Sequence, residues 1–232
     1  MEKLVWVTGG SSGIGNAISR LFIEKGKTVL VTARSLDKLE KLRQEFENEH
    51  VFIEQCDIRD YNSLKTIYNS YKSSYIFDTL INNAGVTSFK PFKYNDIEEI
   101  DSIVKTNLLG AIYATQIVLP DFISNNKGKI INVLSVAAIK TFTNSSIYAA
   151  SKAGLLAFSN VLREEIRKYN ISVTNILPGA TATPIWSEDN LAKFSERMMN
   201  PEDVAELIYN LYINESTVIP EEITIRPILG DL

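Results

Sequence analysis

The chain has 232 residues, 45% hydrophobic and 22% charged, with a formal net charge of −4. That is enough for one well-buried domain and short for two, and it lacks the basic excess of a nucleic-acid or anionic-membrane binder. One cysteine, Cys56, and one histidine, His50, exclude an internal disulfide and leave a structural zinc short of ligands, so no metal site is expected.

The start, MEKLVWVTGG, is a short apolar run that ends at once in glycine, without the long hydrophobic region and cleavage site of a secretory leader. Nor does any run reach the ~18–20 uninterrupted apolar residues of a membrane span. A cytoplasmic location is expected. Apolar, β-branched runs predict strands at LVWVT (residues 4–8), TVLVTA (28–33), VFIEQC (51–56), DTLIN (78–82), KIINVLS (129–135), ISVTNIL (171–177) and EITIR (222–226). Between the first two, Ile14, Ile18, Leu21 and Phe22 form a helical stripe closed by Gly26. After the second, Leu36, Leu39, Leu42 and Phe46 form another, and the mixed charges of LDKLEKLRQEFENEH read as its solvated face. His50 lies at the start of the third strand, far from any nucleophile, so no histidine-based triad is expected. Residues 96–125 are too long for a usual single helix and predict two helices or a bend near Asn107, with Pro120 close to the second one's end. Several strands lack polar alternation, as in sheets covered on both faces. The expectation is one α/β domain: a Rossmann-type doubly wound parallel sheet of about seven strands with helices on both faces. Its cofactor-binding part would be about residues 1–135. The catalytic and substrate part, about 136–232, would include a short lid at about 184–200.

VTGGSSGIG follows the first strand and opens the first helix. Gly9, Gly13 and Gly15, with Ser11, Ser12 and Ile14 among them, let the backbone turn tightly and offer helix-terminal N–H groups to a phosphate. The spacing is GxxxGxG, a variant of the usual dinucleotide fingerprint. At the end of the second strand, TARS puts Ala33 where an acid would hold a ribose diol and follows it with Arg34, whose planar fork suits a 2′-phosphate. The cofactor expected is NADP(H) in preference to NAD(H). In IYAASKAG (residues 147–154), Tyr148 and Lys152 stand one helical turn apart on one face.

These motifs occur together with NNAG at residues 82–85, Asn107 in KTNLLG, Ser135 in NVLSVAA and PGxxxT at residues 178–183. In this order over nearly the whole chain they resemble the short-chain dehydrogenase/reductase family in its compact single-domain form. The resemblance implies hydride transfer between a nicotinamide and a small carbonyl or secondary-alcohol substrate, with Tyr148 as general acid/base and Lys152 on the nicotinamide ribose. It further implies Ser135 on the substrate oxygen and Asn107 in a water-bearing helix bend. Asp57, Asn83, Ala84 and Gly85 would lie on the adenine side, and Pro178, Gly179, Thr181 and Thr183 around the carboxamide. Matching a phenol to neutral pH takes about 4 kcal/mol, and an ammonium ~5 Å away supplies ~3 kcal/mol at an effective dielectric of 20. A 3-hydroxy acid, a 3-oxoacyl thioester and a nonspecific aldehyde or ketone stay open as substrates. Lys193 and Arg197 are the residues that could serve an acidic carrier. Trp186, Phe194, Met198 and Met199 either form a lid over an apolar substrate or pack into the core. The family's usual surfaces, the helices of residues 96–125 and 148–169, imply a homodimer or homotetramer. The competing reading is a non-catalytic NADP(H)-binding sensor of the same fold.

Overall fold

A computed structural model describes residues 1–46, 50–215 and 217–232. Residues 47–49, within the mixed-charge stretch, lie outside them. Strands and helices alternate as β1 (Glu2–Thr8), α1 (Gly13–Glu24), β2 (Thr28–Ala33), α2 (Leu36–Phe46), β3 (Val51–Gln55), α3 (Tyr61–Tyr71) and β4 (Tyr75–Asn82). The second half runs α4 (Ile97–Val104), α5 (Gly110–Ser124), β5 (Gly128–Val133), α6 (Ser146–Ile166), β6 (Ile171–Pro178), α7 (Glu188–Phe194), α8 (Pro201–Ile213) and β7 (Glu222–Ile225). All seven strands pair in parallel in the order β3-β2-β1-β4-β5-β6-β7.

The pleat sorts the core into two layers. Leu4, Trp6, Leu30 and Leu80 face α3, α5 and α6, whereas Val5, Val7, Val31 and Ile81 face α1, α2 and α8. All six residues of β2 are buried, as a strand covered on both faces requires. The chain moves outward from β1 to β3 and then returns past β1 to β4, so the crevice beyond the C-terminal ends of β1 and β4 is the topological switch point. His50 sits at the sheet edge, its carbonyl accepting the Val29 N–H at 2.8 Å.

Helix α4 runs into α5 through a π turn at Lys105–Leu109 centred on Asn107, so the predicted bend takes the form of a local bulge. Pro120 lies inside α5. The continuous stretch Ile97–Ser124, 28 residues containing an 18-residue window of mean hydropathy 1.2, is by length and composition able to cross a membrane. Here Ala114, Val118 and Phe122 are instead buried against the sheet.

A row of buried asparagines crosses the sheet. Asn82, Asn132 and Asn175 align on β4, β5 and β6. Asn82 Nδ2 donates to Asn132 Oδ1 at 2.9 Å and to Thr115 Oγ1 of α5 at 3.1 Å. Asn132 Nδ2 donates to Asn175 Oδ1 and to Ser159 Oγ of α6, both at 3.0 Å. Asn132→Ala deprives two strands and one helix of partners in a buried site, so we expect a loss of about 3 kcal/mol in urea unfolding with an unchanged denaturant slope. A loss below about 1 kcal/mol would mean that the row holds little.

Candidate active site

The turn after β1 is built around a close approach. Gly9 has φ +66°, and a Cβ there would lie 2.6 Å from the Ala84 Cα at the end of β4. The turn is tied down by Asn83, whose Nδ2 donates to the carbonyls of Thr8 at 3.2 Å and Gly9 at 3.0 Å. In return the Thr8 hydroxyl accepts the Asn83 N–H at 3.1 Å. A Cβ on Gly15 would meet the Asn83 amide at 2.2 Å. Helix α1 then starts at Gly13 with no side-chain cap and no acid in its first turn. Helices α3 and α4, by contrast, are capped by Asp60 and Asp96. The open N–H groups and positive dipole end of α1 suit a phosphate, so the residues present fit a dinucleotide.

These elements border a cavity of about 830 Å³ that runs from β2 to the segment after β6. Gly9, Ser11, Ser12, Gly13, Ile14, Arg34, Asn83, Ala84, Gly85, Ser135, Tyr148, Lys152, Pro178, Gly179, Thr181 and Thr183 all line it. Three candidates do not. Gly15 packs behind the turn. Asn107 stands behind the wall, its side chain pairing with both backbone groups of Val86 at 2.8 and 2.9 Å and with Ser151 at 3.0 Å. Asp57 lies in an adjoining cleft with Arg34, Gln55, Cys56 and Ser63. Its carboxylate is engaged by Arg59, with Nε to Oδ1 at 3.0 Å and the terminal nitrogen to Oδ2 at 2.6 Å. The hydrogen bonds from Arg59 hold that carboxyl below its usual range.

Tyr148 and Lys152 are buried on the first turns of α6. Lys152 Nζ donates to the Val133 carbonyl at 2.8 Å and lies 5.9 Å from the centre of the phenol ring. Burial lowers the ammonium's pKa to about 8. Burial also pushes the Tyr148 phenol up, and the hydrogen bond with Ser135 pulls it part of the way back. The charge arithmetic drawn from the spacing left out this desolvation, which here dominates both groups. The Ser135 hydroxyl also accepts the Ala137 N–H at 3.1 Å, so it caps its own turn as well as facing the phenol.

The far end of the cavity has an aromatic wall. Phe89 stacks on Trp186 with centroids 5.1 Å apart and planes at 12°, and it lies 6.0 Å from the Tyr148 ring. Of the four apolar side chains of the predicted lid, Trp186 alone lines the cavity. Met198 is buried and Met199 exchanges backbone hydrogen bonds with Ala180 and Ala182, so both belong to the packing of this segment. The sequence reading missed Lys38, Phe142 and Asp231, which also line the cavity. Lys38 carries a signal, a second cation one turn beyond Arg34 in α2. Asp231 carries none, because only the path of the chain after β7 brings it there.

A lysine held at about 8 when its ordinary value is 10.5 costs the fold about 3 kcal/mol below pH 8, where both folded and unfolded chains are protonated. Between 8 and 10.5 the folded state releases its proton first and that cost disappears. Lys152→Met is therefore expected to be about 1–3 kcal/mol more stable than wild type at pH 7 in urea unfolding. The gap should close as pH rises towards 10.5; a gap that is absent or widens would contradict this account.

The sequence profile described as short chain dehydrogenase matches residues 3–193. The chain is 31% identical to sepiapterin reductase of Chlorobaculum tepidum over 242 residues, covering 100% of this chain and 99% of that protein. It is 28% identical over 228 residues to an uncharacterized oxidoreductase of Staphylococcus aureus (strain MW2), covering 98% of each. Its fold superposes on the closed form of serine dehydrogenase complexed with NADP+ with a TM-score of 0.93 and 28% identity, over 99% of this chain and 96% of that one. A match across most of the length, on a fold with the same seven-stranded parallel sheet, makes the chain an oxidoreductase and a member of the short-chain dehydrogenase family.

Proposed function

We propose that the protein is an NADP(H)-dependent carbonyl reductase, running in reverse as an alcohol dehydrogenase, with Tyr148 as its general acid/base. The observation that carries this reading is that Ser135, Tyr148 and Lys152 share one cavity with the open glycine turn and Arg34. A bound nicotinamide would supply or accept the hydride. The protein's own work is then to bind, orient and move one proton. Ser135 holds the substrate oxygen beside the phenol. Tyr148, whose phenol is pushed up from its ordinary value by burial, donates its proton to that oxygen as negative charge develops there. Lys152, fixed by the Val133 carbonyl, faces the resulting phenolate with its positive charge and keeps N–H groups for the ribose hydroxyls. Asn107 maintains the π turn behind Lys152 and so positions rather than reacts. A sensor would have no need of these proton-transfer residues.

For the adenine side, Ala33 in place of an acid, the exposed Arg34 and the neighbouring Lys38 support a 2′-phosphate. The names of the relatives point to different substrates, so the aromatic wall is the better guide and favours a flat, modest-sized carbonyl compound. Cys56, a buried free thiol, agrees with a reducing cytoplasm. Exposed Ile97 on α4 and Val161 on α6, 74% and 62% accessible, support self-association through those helices.

Tyr148→Phe is expected to keep NADPH affinity while losing at least ~10²-fold in turnover, read from the reduced-nicotinamide absorbance; full activity would sink the tyrosine role. Arg34→Asp should move the ratio of NADPH to NADH dissociation constants towards NADH, and an unmoved ratio would count against the phosphate contact.

A further inference from the structure

We infer that Asp231 is a positioning residue of the substrate site: its carboxylate latches the segment after β7 onto the loop after β5, so that Leu232 and Phe142 are held as walls of one cavity. Both residues line the cavity that contains Tyr148. After β7 the Gly230 N–H donates to the Pro227 carbonyl at 2.8 Å, with Gly230 at φ +81°, and this turn sends the chain back towards the cavity. At its base Pro227 packs on Gly179, where a Cβ would meet the Pro227 Cδ at 3.1 Å. Its tip puts Ile228 and Leu229, 103% and 71% accessible, into solvent. Apolar burial therefore does little to fasten the far end of this segment.

That end is fastened by charge. Asp231 Oδ2 accepts from Lys140 Nζ at 2.5 Å and lies 3.4 Å from the Arg226 guanidinium. The Arg197 guanidinium, beyond α7, donates to the Asp231 carbonyl at 3.4 Å. Arg226 belongs to the same segment as Asp231, so Lys140 is the ion-pair partner that ties it to another part of the chain. The Lys140 ammonium also lies over the Phe142 ring, 5.5 Å from its centre. One carboxylate thus reaches, through one ammonium, an aromatic residue of the cavity wall. The loop concerned starts at Ser135 and runs into the first turn of α6, which carries Tyr148. The Asp231 side chain is 10% accessible, whereas Lys140 and Arg226 are half-exposed. A pair of exposed side chains would hold little, but this carboxylate has given up most of its water and depends on its cations for compensation.

This inference rests on the reductase reading for what the cavity takes, and the test separates the two. Hydrogen exchange is followed by mass spectrometry, in excess NADPH, on peptides covering residues 226–232 and 136–145. Lys140→Met should speed exchange in the 226–232 peptide at least ~10-fold, although the substitution lies outside it. Asp231→Asn should speed exchange in the 136–145 peptide, where the Ile139 and Lys140 amides bond to the Val136 carbonyl. Lys140→Arg, which keeps the charge, should leave both slow, and in the double variant the two effects should not add. NADPH affinity and thermal unfolding report an intact fold. NADPH oxidation is measured with flat ketones from acetophenone to 2-acetonaphthone. Lys140→Met should raise KM at least ~5-fold with kcat held, the mark of lost binding rather than lost chemistry. Exchange that does not cross the latch, or a KM equal to that of wild type, would overturn the assignment. Coupled exchange with no oxidation of any ketone would sink the reductase reading and keep the latch.

Discussion

Gly9 and Ala84 meet so closely that a single added methyl would lie 2.6 Å from backbone, and Asn83 keeps them there by donating to two carbonyls of the turn. This contact joins the ends of β1 and β4 at the point where the strand order reverses. The rest of the cavity is measured from it. It leaves the first turn of α1 open, sets Gly85 beside Asn107 and Lys152, and brings Thr183 up to Gly13. Asn83 is thus spent on the frame, which explains why a residue with both a donor and an acceptor lines the cavity yet turns its donor away from it.

Much of the architecture was legible because it is periodic. The strand runs and the helical stripes carry their own repeat, and the overlong apolar segment around Asn107 announced a break that became a π turn. The Tyr148–Lys152 spacing was legible for the same reason, since a helix fixes what four residues mean. Contacts made by tertiary path were not legible. Asp57 was an adenine-side contact by resemblance, and its pairing with Arg59, two residues on, could not be foreseen from that. Asp231 reaches the cavity only because the segment after β7 folds back towards the loop that holds Lys140. Met198 and Met199 could not be told from lid residues by composition, since packing and covering call for the same side chains.

The buried lysine shows where the fold gives up stability to hold a charge. Nothing in α6 requires an ammonium at that position, and a methionine would fill the space with less desolvation. What the ammonium gains is a fixed charge among buried groups, where its field on the equally buried phenol is less screened than at the surface. The pairing of a depressed lysine with a raised tyrosine is the pattern of two groups with nearly equal ordinary values pushed apart by shared burial.

The asparagine row has a consequence for how α6 can move. Ser159 is bonded to Asn132, and Lys152 is bonded to Val133, the next residue of β5. Seven residues separate the two helical anchors, about two turns and roughly 10 Å along the axis. A helix pinned at two such points can neither screw about its axis nor slide along the sheet without breaking both bonds at once. The phase of α6 is therefore locked to β5, the strand that leads into Ser135. Motion that admits a ligand must then be carried by the segments after β6 and β7, leaving the phenol and the serine in constant register.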